Sequence, residues 1–142
     1  MEGGTGHTTR LIVVDASVVV SAALRPSGLP RQALDQAIER ERIVLSRPVL
    51  EEMREVLGRR KFSSVLTPGA IDEIVSAVST AALWFSPVIK VNECRDPGDD
   101  LYLELALAAG ASVLISSDHD LLSMDPWRGV RILRPADYLA QR

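Results

Sequence analysis

Aspartates close two of the most apolar runs of this 142-residue chain. Asp15 follows Leu-Ile-Val-Val, and Asp118 follows Val-Leu-Ile-Ser-Ser. A short, continuous, β-branched run is expected of a strand buried on both faces, and such a strand is a rigid mount for a carboxylate at its end. One such Asp alone is most simply a turn or cap residue. Two at equivalent strand ends point to a shared crevice. Two further acids are candidates to join them. In Pro48-Val-Leu-Glu-Glu-Met-Arg-Glu-Val-Leu57, Glu51 has Arg47, Arg54 and Glu55 as helical neighbours and is expected in solvent. Glu52 has Val49 and Val56 beside it, borders the apolar face, and must find compensation there, from an arginine or from a shared metal. Of the pair Asp99 and Asp100, Asp99 shares its face with Tyr102, Leu103 and Ala106 and should point inward, whereas Asp100 is expected to reach the rim.

Three or four carboxylates in one crevice raise one another's pKa and do not all stay ionised unless a cation joins them. An all-oxygen set selects a hard divalent ion, Mg2+ or Mn2+, over zinc. Such an ion polarises a phosphoryl oxygen, lowers the pKa of water and stabilises a leaving oxygen, which is the chemistry of phosphodiester hydrolysis.

The elements that must position these groups alternate along the chain. A strand at 11–15 leads into a segment, SVVVSAAL, that reads as a helix capped by Ser17, although its valines leave a strand continuation open. RPSGLP (25–30) is a turn. A helix over about 30–41 and a strand at 43–46 follow, then a helix from Arg47-Pro48 to about Gly58. The next helix starts at 67–69 and keeps helical spacing from Ile71 through Trp84. VIKV (88–91) is a candidate strand. Residues 99–109 are helical and apolar nearly all round, so that helix should be buried. Strands at 112–117 and 130–133 precede a short helix from Pro135. The pattern predicts a single three-layer α/β domain, residues 10–142, with a parallel sheet of four or five strands covered by helices on both faces. In such sheets the ligand site lies outside the carboxyl ends of the strands. Residues 1–9 are expected to form a disordered polar tail without the apolar core of a secretory signal.

Composition narrows the class. The chain is 46% hydrophobic and 25% charged, with a net charge of −3, an ordinary globular balance without a membrane span. The single cysteine, Cys94, excludes an intramolecular disulfide and suits the cytoplasm. Acids crowd two loops, at Asp96, Asp99 and Asp100 and at Asp118 and Asp120. The basic run Arg54, Arg59, Arg60, Lys61 reads first as a solvated helix end complementing the helix dipole, and second as a phosphate-binding patch. Arg25, Arg31, Arg47 and Arg95 are further candidates for phosphate contact. Trp84 and Trp127 can stack bases, though helix packing is the simpler role for Trp84.

Taken in order, VVDASVVVSAAL, LEEMREVL, CRDPGDDLYLELALAAGA, VLISSDHDLL and GVRILRPADYL resemble the PIN-domain family, in particular its bacterial VapC-like toxin ribonuclease branch. The resemblance spans residues 11–139. It implies a metal-dependent endoribonuclease whose catalytic and metal-binding acids fall on Asp15, Glu52, Asp99 and Asp118, with Asp120 able to assist or replace Asp118. Ser17, Asp100 and Asp120 are the supporting candidates. It further implies an RNA substrate, a cognate antitoxin protein that blocks the site, and a homodimer. One departure stands out: the family's usual Asp-Thr-Asn is Asp15-Ala16-Ser17 here. Ser17 keeps a hydroxyl for its neighbouring carboxylate or a water, but lacks the amide's two donors. This motivates the rival reading, a catalytically dormant PIN-like module that binds RNA or a partner protein without cleavage. A receiver domain would need a lysine late in the chain, and Lys61 and Lys90 are badly placed. The two histidines make no acid–base pair, no nucleophile elbow or phosphate-cradling P-loop is present, and Cys94 has no flanking base.

Overall fold

The computed structural model describes residues 9–141, so the expected tail at 1–9 lies almost wholly outside the described residues. Five strands form one all-parallel sheet in the order β3-β2-β1-β4-β5: β1 (Leu11–Val14), β2 (Arg42–Leu45), β3 (Leu83–Trp84), β4 (Val113–Ile115) and β5 (Arg131–Leu133). β1 is central. Ile12 lies opposite Ile43 on one side, and Val13 opposite Leu114 on the other. Successive strand residues point to opposite faces, and Ile12, Val13 and Val14 are all buried, so both faces of the sheet are covered. Parallel strands require crossovers, which the helices α1 (Ala16–Leu24), α2 (Leu29–Arg40), α3 (Arg47–Leu57), α4 (Pro68–Ala81), α5 (Asp100–Ala109) and α6 (His119–Leu122) supply, and α7 (Pro135–Ala140) follows the last strand. Among the described residues, no helix is long and apolar enough to cross a membrane.

Helix starts are set by local chemistry. Ser46 Oγ accepts from Val49 N at 3.3 Å and Thr67 Oγ1 from Ala70 N at 3.1 Å, each with proline in the first turn. The cap of α1 is Asp15 and not Ser17: its carboxylate accepts from Ser17 N at 3.1 Å. The valines at 18–20 stay helical because all three are buried against the core, a gain that outweighs their weak helix propensity. Gly110 ends α5 in the left-handed region, φ 64°, which glycine adopts without a Cβ clash.

Two expectations are corrected. The helix predicted through Trp84 stops at Ala81, and Leu83 and Trp84 pair with Val44 and Leu45 as the edge strand β3. The apolar spacing of Ala81, Ala82 and Trp84 fits a helix, but Ala82 turns to extended backbone and the sheet edge takes up the hydrogen bonds, down to Phe85 N on Leu45 O at 2.9 Å. VIKV is correspondingly not a strand. Val88 and Ile89 are 87% and 60% exposed. The loop is tied instead by two carboxylates of α5: Glu104 accepts from Val91 N at 3.0 Å, and Asp100 from Glu93 N and Cys94 N at 3.2 and 2.9 Å.

Candidate functional site

The carboxyl ends of the neighbouring strands β1 and β4 meet where Asp15 N donates to Ile115 O at 2.9 Å. Asp15 follows β1 and is 4% exposed. Its Oδ1 is spent on capping α1, while its Oδ2 accepts from Ser116 Oγ at 2.7 Å and from Ser17 Oγ at 3.0 Å. Ser17 therefore turns its hydroxyl to its neighbouring carboxylate. Ser116 is fully buried after β4 and also accepts from Asp118 N at 2.9 Å, so a single hydroxyl links the two strand-end aspartates. Asp118 caps α6, with Oδ1 accepting from Asp120 N at 2.8 Å. Asp120 thus meets Asp118 through its backbone.

The loop before α5 brings the remaining acids. Asp96 starts a 3-10 turn, Pro97–Asp99, by accepting from Gly98 N at 3.0 Å, and the turn carries Asp99 inward to 8% exposure. Asp96, Asp99 and Asp118 each offer an oxygen within 4.8 Å of the others. Asp99 Oδ2 is buried without a hydrogen-bond partner. Across the crevice, α3 places Glu52 half-buried and Glu51 in solvent. Glu52 interacts electrostatically with Asp15 and Asp96 but lies outside the tight set of three. Asp15 borders that set through its interactions with Asp99 and Asp118.

Electrostatics record the crowding. Burial and then the hydrogen bond and charge of Asp118, with smaller effects of Asp15 and Asp96, push the Asp99 carboxyl up to about 8. Burial raises Asp15 as well, and the charge of Asp118 adds to it; the hydrogen bonds from Ser116 and Ser17 oppose the shift. Glu52 is raised by burial and by Glu55, with Arg59 opposing. Tyr102 on α5 is 1% exposed, its hydroxyl accepts from Ala16 N at 3.2 Å, and burial with the charge of Asp15 holds its phenol protonated. None of the ion pairs among the described residues involves Asp15, Asp96, Asp99 or Asp118. A partnerless buried oxygen beside several carboxylates that, among the described residues, form no ion pair with an arginine makes a donor set that can hold a metal ion.

The sequence reading missed three residues of this arrangement and misplaced a fourth. Asp96 had a usable signal, since Asp-Pro-Gly is a turn that folds its carboxylate back over the following residues. Ser116 had none, because a strand-end serine is indistinguishable from its neighbour Ser117. Tyr102 sat in an apolar helix face whose polar tip needed a partner. Asp100, expected at the rim, is 5% exposed and faces the 93–94 backbone, whose two unpaired amides claim its carboxylate. Trp127 is likewise unavailable for stacking: it is buried and donates from Nε1 to Glu93 at 2.9 Å. Trp84, expected in a helix interface, is 48% exposed on the edge strand.

The chain is 29% identical over 115 residues to the uncharacterized protein MJ1680 of Methanocaldococcus jannaschii, covering 80% of this chain and 74% of that protein. Two solved structures share its fold. PAE2754 from Pyrobaculum aerophilum aligns over 94% of this chain and 91% of its own, with TM-score 0.59 and 20% identity. A chain of VapBC2 from Rickettsia felis, solved bound to a DNA fragment from their promoter, aligns over 86% and 96%, with TM-score 0.57 and 11% identity. A family model described as a PIN domain matches residues 11–120, a span that includes Asp15, Glu52, Asp99 and Asp118. The chain belongs to the PIN domain family.

Proposed function

We propose that this protein is a metal-dependent endoribonuclease, the toxin of a toxin–antitoxin pair, that hydrolyses RNA phosphodiesters with Mg2+ or Mn2+ held by Asp15, Glu52, Asp99 and Asp118. PIN domains are generally nucleases and typically use divalent metals, which supports the reading. The observation that carries it is the buried, partnerless Asp99 Oδ2 beside Asp96 and Asp118, a crowding of carboxylates that a divalent cation relieves in place of the proton Asp99 otherwise keeps. Asp99 and Asp118 are the inner ligands in this reading, Asp15 an adjoining one, and Glu52 the group that closes the set from α3. Asp96, absent from the sequence-based set, joins them through its place in the cluster.

When bound, a hard divalent ion neutralises phosphate charge and makes water more acidic. The chain's own residues hold the geometry. Ser116 and Ser17 aim the Asp15 carboxylate and oppose the upward shift that burial imposes on it. Tyr102 excludes water behind it, at the start of α1. Asp120 steadies Asp118 from its backbone. The likeness in fold to a chain of VapBC2 supports an antitoxin partner that covers the crevice, and a homodimer and a cytoplasmic setting complete the proposal.

The direct test is cleavage of single-stranded and structured RNA with Mg2+ or Mn2+, in EDTA, and with Asp15→Asn and Asp99→Asn. Metal-dependent cleavage lost in both variants is the expected result. Manganese binding with no cleavage of any RNA would instead favour the dormant module that binds RNA or a partner.

A further inference from the structure

A depression of about 350 Å3 opens where the end of α3 and the turn after it meet the start of α4. Leu57, Leu66, Pro68 and Ile71 make its floor, and Arg54 and Arg59 stand at its edge. This size falls at the lower end of small-molecule sites, enough for one planar, base-sized group. Both cations pair with acids at the surface. Glu55 grips Arg59 through two parallel bonds, Nε to Oε2 at 3.0 Å and Nη2 to Oε1 at 2.9 Å, which occupy two of the guanidinium's five N–H donors. Arg54 lies 3.5 Å from Asp72. Arg60 and Lys61 follow in the turn Arg60–Phe62, so positive charge continues along the chain in a protein of net charge −3.

The depression adjoins the acidic crevice. Glu52, Glu55 and Arg59 recur at helical spacing along α3 and the residues just beyond it. Arg59 interacts electrostatically with Glu52 and with Tyr102 behind Asp15. An apolar floor takes the face of a base, and a guanidinium fork takes a phosphate. An aliphatic floor that surfaces at Pro68 and Ile71, rimmed by two arginines and Asp72 beside a crevice suited to phosphodiester hydrolysis, therefore suits one nucleotide of a bound strand.

We infer that the depression between α3 and α4 is a nucleotide subsite, which takes one unpaired base of the RNA against Pro68 and Ile71, backed by the buried Leu57 and Leu66, and its phosphate on Arg54 and Arg59, next to the linkage held at the acids. The inference rests on the nuclease reading for its link to cleavage, but the binding itself is testable without it. The first arm titrates the four nucleoside 5′-monophosphates into the full chain in EDTA and follows backbone amides by NMR. Two variants accompany wild type: Arg54→Gln/Arg59→Gln, and Ser63→Trp, which plugs the depression from an exposed position on its rim. Shifts confined to residues 57–63 and 69–72 in wild type, and lost in both variants, are expected. No shifts there with any of the four, or shifts that survive both variants, would overturn the subsite. The second arm measures RNA cleavage with Mn2+. The double variant should raise KM roughly tenfold with kcat within about twofold, as expected for lost ground-state phosphate contacts; an unchanged KM would overturn the subsite's role in cleavage. A wild type that binds mononucleotides here yet cuts no RNA would remove the nuclease reading and leave the subsite standing.

Discussion

Replacing Asp99 with Asn should make the metal-free protein more stable at alkaline pH and less responsive to metal. Asp99 titrates at about 8 in the folded chain against an ordinary 3.8, chiefly through burial and through Asp118. Between those values the folded carboxyl keeps its proton while the unfolded one has lost it, so the folded state binds more protons. Stability contributed by this group is therefore lost as pH rises from about 4 towards about 8, the reverse of an arginine-paired aspartate. At about 1.4 kcal/mol per tenfold change in proton affinity the full effect would approach about 6 kcal/mol. Water in the open crevice screens much of it, and about 2 kcal/mol is the expected remainder. For a domain of this size that is a melting-temperature difference of about 6 °C. Thermal melts followed by circular dichroism in EDTA should show the variant and wild type equal near pH 5, with the variant higher by that margin at pH 9. Added Mn2+ should then raise wild type strongly and the variant weakly, because stabilisation follows the ratio of free ligand to Kd. A variant that melts below wild type at pH 9 in EDTA would refute the argument that Asp99 is held under uncompensated repulsion.

Glu52→Gln should weaken Mn2+ stabilisation and cleavage at least tenfold, whereas Glu51→Gln, in solvent, should leave both within about twofold; the reverse ranking in parallel assays would show the α3 faces to be misassigned. Ser116→Ala removes the 2.7 Å bond to Asp15 and the acceptor of Asp118 N–H. It should cost about 2 kcal/mol in urea denaturation and raise the Asp15 pKa, measurable by NMR titration. Asp100→Ala leaves the amides of Glu93 and Cys94 without their acceptor. A loss of about 3 kcal/mol is expected, with hydrogen exchange faster across 91–96 and unchanged in the sheet.

Much of this arrangement was legible in the chain because it depends on patterns of period two or 3.6. An apolar run that stops at an aspartate places Asp15 directly after its strand and Asp118 just beyond the neighbouring one, which ends at Ile115, short of the expected 117. The spacing of Val49 and Val56 turns Glu52 towards the packed side of α3, as its half-buried state bears out, while Glu51 stays exposed. The company of Tyr102 and Ala106 predicts that Asp99 turns inward, and it does, but the expected contrast with Asp100 is absent because Asp100 is at least as buried. What escaped depends on contacts that no local pattern encodes. Asp100 faces inward as well, but towards a loop whose backbone amides have no ladder to join. β3 is two residues long and exists because β2 offers it an edge, so the helical spacing before it extends misleadingly to Trp84. Ser116 matters through a residue 101 positions away, a separation beyond any sequence window. For Asp96 the Asp-Pro-Gly turn was legible, but not that it brings the carboxylate to Asp99 and Asp118.

The most direct test of the central claim is a crystal soaked in Mn2+ and measured at the manganese absorption edge. An anomalous peak enclosed by the carboxylates of Asp99 and Asp118, with Asp15 and Asp96 beside it, is the predicted result. Full occupancy of manganese elsewhere on the surface, with that crevice empty, would contradict it.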